Sequence, residues 1–306
     1  MLDYRVFTFM KVCETLNFTQ AAKELHITQP AVTKHVKTLE TEYQTKLFTF
    51  SGKQCRLTQS GKELLDLLTT MDTDIKHFKT QLKQDLQPLN FGATLTIGEY
   101  VLTDSLVDIL ANHPNFQVKM LVDNTETLLK AIDNGQIDFA LIEGFFAKEK
   151  YDFLPYRTEP FIAVASPGSP LASGSYSLED LLAYPIIVRE QGSGTREILE
   201  IMLKEANLTI SDFHKITEIG NLNTICELVQ KNLGISFVYQ SVVQKEISAG
   251  KLQKINLDIS AISHDFTFIW RKNSHFKNHY QDIFKLFFLI FWLDKKRFFN
   301  VNYIVI

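Results

Sequence analysis

Apolar positions recur at helical spacing from the start of the chain. Val6, Phe9, Met10 and Cys13 fall at i, i+3, i+4 and i+7, which predicts an amphipathic helix from about Tyr4 to Leu16. A second helix is expected from Thr19, read as its N-cap, with Ala21, Ala22 and Leu25 inward. After the turn His26-Ile27-Thr28 a third begins, where Thr28 can cap and Pro30 fits the first turn. Val32, Val36 and Leu39 face inward on it, leaving Thr33, Lys34, His35 and Lys37 on other faces. Leu47–Phe50 and Cys55–Leu57 read as two short strands around Ser51-Gly52.

The pattern then narrows. Leu64, Leu68, Met71, Ile75, Phe78 and Leu82 step by four and three, an a/d seam sustained over almost three heptads. It predicts a helix from about Thr58 to Gln87, roughly 45 Å long and ended by Pro88. Its stripe needs a partner, either a second copy or the chain's own body. From Leu89 onward strands and helices alternate. Strands are expected at Asn90–Thr94, Gln117–Val122, Ile137–Glu143, Phe161–Ser166, Ile186–Arg189, Ile216–Ile219, Ile235–Tyr239 and Phe266–Arg271, with helices such as Ile198–Ala206 and Thr224–Asn232 between them. That rhythm implies parallel α/β sheets with helices on both faces, and leaves room for two lobes.

A chain of 306 residues exceeds the usual size of a single core, so several modules are expected. With 45% apolar and 22% charged residues, wholesale disorder and collagen-like repeats are excluded. The longest apolar run, Leu286 to Leu293, is far short of the roughly 20 residues that span a bilayer. No secretion signal is visible, and Cys13, Cys55 and Cys226 form neither a disulfide framework nor a zinc cluster, so a reduced, cytoplasmic protein without membrane contact is expected. Charge is uneven. Residues 1–62 hold nine Lys/Arg against five Asp/Glu, whereas the whole chain carries −3. A basic first module on an acidic remainder suits a polyanionic partner.

Two short helices joined by a tight turn, the second with a polar and basic outer face, match the helix-turn-helix that enters the DNA major groove. Gln29 and Thr33 could read bases, while Lys34 and Lys37 suit phosphates. The two strands would form a wing presenting Lys53 and Arg56. The run Phe18-Thr19-Gln20-Ala21-Ala22, then Thr28-Gln29-Pro30-Ala31-Val32-Thr33, Leu39-Glu40, Leu47-Phe48 and Leu57-Thr58-Gln59-Ser60-Gly61 resembles the winged helix-turn-helix of LysR-type transcriptional regulators. Thr19, Pro30 and Ala31 complete the DNA-facing set. The chain departs from the family pattern at Gln44, where glycine is usual, and at Phe50, where arginine is common. The resemblance favours the seam helix as a homodimer contact pairing two DNA heads.

Two expected strand-to-helix junctions are rich in small donors, Thr94-Leu95-Thr96-Ile97-Gly98 and Gly192-Ser193-Gly194-Thr195-Arg196. Helix-start N–H groups, hydroxyls and glycines together suit an anion, although ordinary capping gives the same pattern. Arg196 could add charge or face solvent. Glu143, near a strand end, could line a pocket or act as a structural carboxylate. The region is similar to the family's effector-binding domain, which has the two-lobed fold of periplasmic solute-binding proteins. Thr96 to Tyr100, Ile142-Glu143-Gly144, Gly192 to Glu197 and Glu218-Ile219-Gly220-Asn221 resemble the branch that controls sulfur assimilation and senses sulfite or a related anion. Leu95 replaces a common serine there.

The expected organisation is an α-helix-rich winged helix-turn-helix at 1–58, a linker helix at 59–87, and a two-lobed α/β effector domain at 88–306. Its first lobe covers about 88–162 and 265–306, the second about 163–264. The candidate effector residues are Thr94, Thr96, Glu143, Gly192, Ser193, Gly194, Thr195 and Asn221. Double-stranded promoter DNA, a sulfite-like anion or carboxylate, a second copy in a dimer or tetramer, and RNA polymerase are the partners this resemblance implies. No cofactor, metal site or catalytic pair is expected. The rival readings are a transport-type solute-binding protein, which leaves the N-terminal module unexplained, and an α/β enzyme. The apolar tail from Lys295 to Ile306 could seek a groove or a neighbouring chain, or be disordered.

Overall fold

The computed structural model describes residues 3–52, 54–82 and 87–299. Helices α1 (Tyr4–Thr15), α2 (Phe18–Glu24) and α3 (Gln29–Glu42) pack around the buried Phe9, Val12, Ala21, Val32, Val36 and Leu39. Asn17 caps α2, its Oδ1 accepting from the N–H groups of Thr19 and Gln20 at 2.9 and 3.0 Å. The helix therefore starts before Thr19, which lies in its first turn and is not the cap. Thr28 caps α3 as expected, accepting from the Ala31 N–H at 3.3 Å, with Pro30 in the first turn. Strands β1 (Phe48–Ser51) and β2 (Gln54–Leu57) pair antiparallel, Phe48 opposite Leu57.

Helix α4 (Gln59–Gln81) is about 35 Å long, shorter than its pattern promised. Pro88 does not end it, because Gln87 and Pro88 already belong to β3 (Gln87–Thr94). The rest follows as α5 (Leu95–Tyr100), α6 (Thr103–Asn112), β4 (Phe116–Asp123), α7 (Thr125–Asp133), β5 (Phe139–Ile142), β6 (Tyr151–Ala165), α8 (Leu178–Leu181) and β7 (Pro185–Val188). Then come α9 (Gly194–Glu205), β8 (Lys215–Glu218), α10 (Leu222–Gln230), β9 (Ser236–Tyr239), α11 (Gln240–Ser248), β10 (Gln253–Lys254), β11 (Ser263–Arg271) and α12 (Lys277–Phe299). Of the tail, residues 300–306 lie outside the described residues.

The expectation of parallel sheets holds for part of the strands. β3 pairs β4 and β5 in parallel, as β7 pairs β8, but β11 runs antiparallel to β5 and β6. The reason is the two-lobed chain path. β6 pairs β11 from Tyr151 to Pro160 and β9 from Phe161 to Val164, so one long strand serves both lobes. β11 makes the return crossing and must oppose it. The core of the first lobe is aromatic: Phe139 stacks on Phe91 and Phe268 at centroid distances of 5.1 and 4.6 Å, and α12 covers them with Tyr280 and Phe287.

α4 divides its contacts. Leu68 is buried with the N-terminal core, and Thr69, Thr70, Thr73 and Asp74 are buried against the first lobe. Arg271, at the end of β11, donates from Nε to the Thr70 hydroxyl at 3.0 Å, and from Nη2 to the Asp66 carbonyl at 2.9 Å and to its carboxylate. Asp74 accepts from the Ser274 hydroxyl at 2.6 Å and the His275 N–H at 2.9 Å. Met71, Phe78 and Leu82 of the seam remain exposed, joined by Leu67.

Candidate functional site

The outer face of α3 is built by its cap and its neighbours. With Thr28 holding the first turn, Gln29 and Pro30 are exposed at the helix start and Ala31 is half-buried beside them. Gln29 Nε2 donates to the Thr33 hydroxyl at 2.9 Å, which aligns the two polar side chains one turn apart. Thr19, Gln29, Thr33 and Lys37 line a groove of about 530 Å³ together with Phe48 and Phe50 of β1. Lys34 and Lys37 are exposed, and among the described residues neither is in an ion pair. Arg56 is exposed on β2 and donates to Gln54 at 3.1 Å. Lys53, the other expected wing cation, lies outside the described residues. The face can therefore offer amide and hydroxyl groups at its centre and cations around them.

The second site lies where the carboxyl ends of β3, β5 and β7 meet the start of α9, the position at which open α/β sheets collect ligands. Glu143 follows β5 and is fully buried. Its Oε2 accepts from the Thr94 hydroxyl at 3.1 Å, and its Oε1 from the Thr195 hydroxyl at 2.7 Å. Thr96, also buried, lies beside the same carboxylate. Burial pushes the Glu143 carboxyl above its ordinary range, while these hydroxyls and the Arg189 guanidinium pull it partly back.

The lobes meet closely here. A Cβ built on Gly194 would stand 2.6 Å from the Gly144 backbone nitrogen, so only glycine permits this approach. Phe145 N–H donates to Glu197 at 3.1 Å and the Tyr100 hydroxyl to Asn223 at 2.7 Å, closing further links across the crevice. Gly192, at φ +84°, turns the chain into α9. A cavity of about 320 Å³ opens beside it, lined by Thr125, Glu126, Phe145, Ser193, Glu197 and Glu200 among others.

Six expected residues thus gather: Thr94, Thr96, Glu143, Ser193, Gly194 and Thr195, with Gly192 at the rim. Asn221 does not join them. It is exposed and caps α10, accepting from the Thr224 N–H at 2.9 Å. Arg196 is occupied by Glu200, Glu218 and the Arg189 carbonyl. The buried cation of the crevice is Arg189, which reads in the sequence as the last residue of a strand. It grips Glu190 through Nε and Nη2 at 2.8 Å each, leaving Nη1 buried without a partner. Among the described residues no His/Cys/Asp/Glu group could hold a metal ion.

Comparison with known proteins identifies this architecture. Residues 5–62 match the bacterial regulatory helix-turn-helix of the lysR family, and residues 83–287 match the LysR substrate binding domain. The chain belongs to the LysR family. It is a LysR-type transcriptional regulator with an effector-binding domain, of a family whose members bind DNA and small molecules and oligomerise. The chain is 27% identical over 270 residues to the transcriptional regulator YeiE of Escherichia coli, covering 88% of this chain and 91% of that one. It is 28% identical over 270 residues to CysL of Bacillus subtilis, covering 86% and 88%. An H2O2-bound mutant of OxyR from Corynebacterium glutamicum has the same fold, with a TM-score of 0.60, 22% identity, and 96% and 92% of the two chains covered.

Against the LysR pattern both departures in the DNA-binding module have a structural consequence. Gln44 takes φ +51°, the left-handed conformation that glycine adopts freely. Phe50 is exposed and rests on Phe18 at 5.8 Å, so this wing position offers an aromatic face in place of a cation. No helix among the described residues is long and apolar enough to cross a membrane.

Proposed function

We propose that the protein binds an inverted-repeat operator in promoter DNA as a homodimer or homotetramer, with α3 in the major groove and the wing on the backbone. A small anion, sulfite-like or a carboxylate, held between the lobes would change the spacing of the DNA heads and so polymerase recruitment. The observation that carries the DNA reading is the groove shared by Thr19, Gln29, Thr33 and Lys37, with Lys34 beside it. For the effector, the support is the convergence of Thr94 and Thr195 hydroxyls from two lobes on one carboxylate, since the same donors suit a free oxyanion. The likeness to CysL is consistent with the sulfur branch.

A peroxide-sensing reading, prompted by the OxyR likeness, lacks its chemistry here. Cys226, the one cysteine beyond residue 88, is buried and its thiol is pushed up to about 12 by that burial, so it is not a thiolate at neutral pH.

The test is titration of the full chain against duplexes from the region beside its own coding sequence. Lys34→Ala should weaken binding to every sequence and lower the salt slope by about one. Gln29→Ala should instead relax discrimination at one base position by about 1–3 kcal/mol. Binding that ignores salt, or a Lys34→Ala slope equal to wild type, would sink the reading.

A further inference from the structure

The interlobe crevice already contains an anion, and it belongs to the chain. Glu143 occupies the hydroxyls of Thr94 and Thr195, the donors that a free oxyanion would use. Around it, charge is unfavourable to a second anion. Glu126, Glu197 and Glu200 line the adjoining cavity against one cation, Arg196, which is itself paired with Glu200 and Glu218, and the buried guanidinium of Arg189 is already engaged by Glu190. Yet the crevice keeps unused polar capacity. The hydroxyls of Thr125 and Ser193, in residues 4% and 3% exposed, line that cavity without partners, and Arg189 Nη1 is buried and unpaired. Buried polar groups are as a rule hydrogen-bonded, so these donors are free to serve a polar ligand in the adjoining cavity.

We propose that Glu143 is a built-in stand-in for the effector, and that a small oxyanion binds between the lobes only together with a proton on Glu143. This inference rests on the interlobe anion site proposed above. Ionised, Glu143 holds the two lobes together through Thr94 and Thr195 and repels the incoming anion. Protonated, it loses that repulsion and gains one O–H donor, which can point at the anion while the threonines turn to it. Burial already biases the carboxyl towards its neutral form. The net event is one anion and one proton taken up together.

Other titratable groups face Glu143 and must be separated from it. Arg189 follows β7, and the buried Tyr239 phenol at the end of β9 is raised first by burial and then by the Glu143 charge itself. His264 on β11 stands at the Glu143 backbone and is lowered, mainly by burial. Glu197 on α9 is raised, again mainly by burial. Of these, His264 and Glu197 could also give a pH-dependent affinity, and the variant below distinguishes them from Glu143.

Calorimetric titration of the full chain with sulfate and with thiosulfate, between pH 5.5 and 8 in two buffers of different ionisation enthalpy, provides the test. Neither probe changes protonation over that range. For wild type, affinity should fall about tenfold per pH unit on the alkaline side, with close to one proton absorbed per anion. Glu143→Gln keeps an acceptor for the threonines but not the charge. It should bind more tightly at pH 8, lose the pH slope and absorb no proton. A slope that persists in Glu143→Gln assigns the proton to His264 or Glu197 and overturns the proposal. Wild-type binding that is flat with pH and releases no buffer heat overturns it too, while leaving the anion site standing. If neither anion binds folded wild type or Glu143→Gln at any pH, both fall. A flat wild-type profile overturns the proposal whether or not Glu143→Gln folds; should that variant not fold, His264→Gln and Glu197→Gln must each keep the wild-type slope, and its loss in either one overturns the proposal.

Discussion

At the scale of single residues, the clearest departure from the family is also the one whose cost can be stated. Gln44 lies just past the end of α3 at φ +51°, exposed, where a Cβ in the left-handed region costs about 1–2 kcal/mol. Glycine removes that strain but loses more backbone entropy on folding, by about 0.5–1 kcal/mol. Gln44→Gly should therefore stabilise the N-terminal module by about 0.5–1 kcal/mol in urea unfolding, and a loss of stability would mean that the Gln44 side chain makes a contact of its own. Most of the crevice was legible residue by residue, because hydroxyls and glycines at strand-to-helix junctions have a direct chemical meaning. Arg189 was not. An arginine closing an apolar strand reads as a surface charge, and only the lobe packing buries it. Asn221 misled for the opposite reason: its cap geometry is local, and the resemblance lent it a ligand.

At the scale of elements, α4 shows how one sequence stripe can serve two neighbours. Its polar residues, Thr69, Thr70, Thr73 and Asp74, are the ones buried against the chain's own body. The exposed side carries Met71, Phe78 and Leu82, with Phe78 55% exposed, an apolar face that the proposed dimer would cover. Burying one such phenylalanine in a dimer contributes about 1.5–3 kcal/mol per chain. Phe78→Glu should weaken self-association at least tenfold by sedimentation or light scattering, with far-UV circular dichroism unchanged; an unaltered dimer would place the interface elsewhere. The heptad was visible in the sequence, but the inward turn of the threonines was not, since small polar residues carry no helical signature of burial. The same holds for β6. Its first ten residues include Pro155 and Pro160, which argue against a strand, yet Pro155 sits beside the register shift with β11, the kind of irregularity that accommodates a proline.

At the scale of the whole molecule, the question is how the proposed uptake of a proton and an anion in the crevice would be felt at the proposed DNA-binding face of α3. Thr94 ends β3 and Glu143 follows β5, both strands of the first lobe, and Arg271 ends the neighbouring strand β11. That arginine, 6% exposed, ties the lobe to α4 through Asp66 and Thr70 and to the end of α7 through the Asp133 carbonyl at 3.2 Å. α4 in turn carries Leu68 in the core of the DNA-binding module. The lobe, the linker helix and the DNA head thus form one mechanical train, in which Arg271 is the joint with the most bonds. Arg271→Gln removes the charge and most donors but spares the crevice. Amide exchange should then rise at least tenfold over residues 66–78, with β3 and β5 still protected. Anion affinity should be unchanged, whereas the anion's effect on operator binding, a coupling of about 1–3 kcal/mol in such systems, should fall by half or more. If α4 stays protected and the coupling intact, the signal must travel by another route, such as contacts between the two copies.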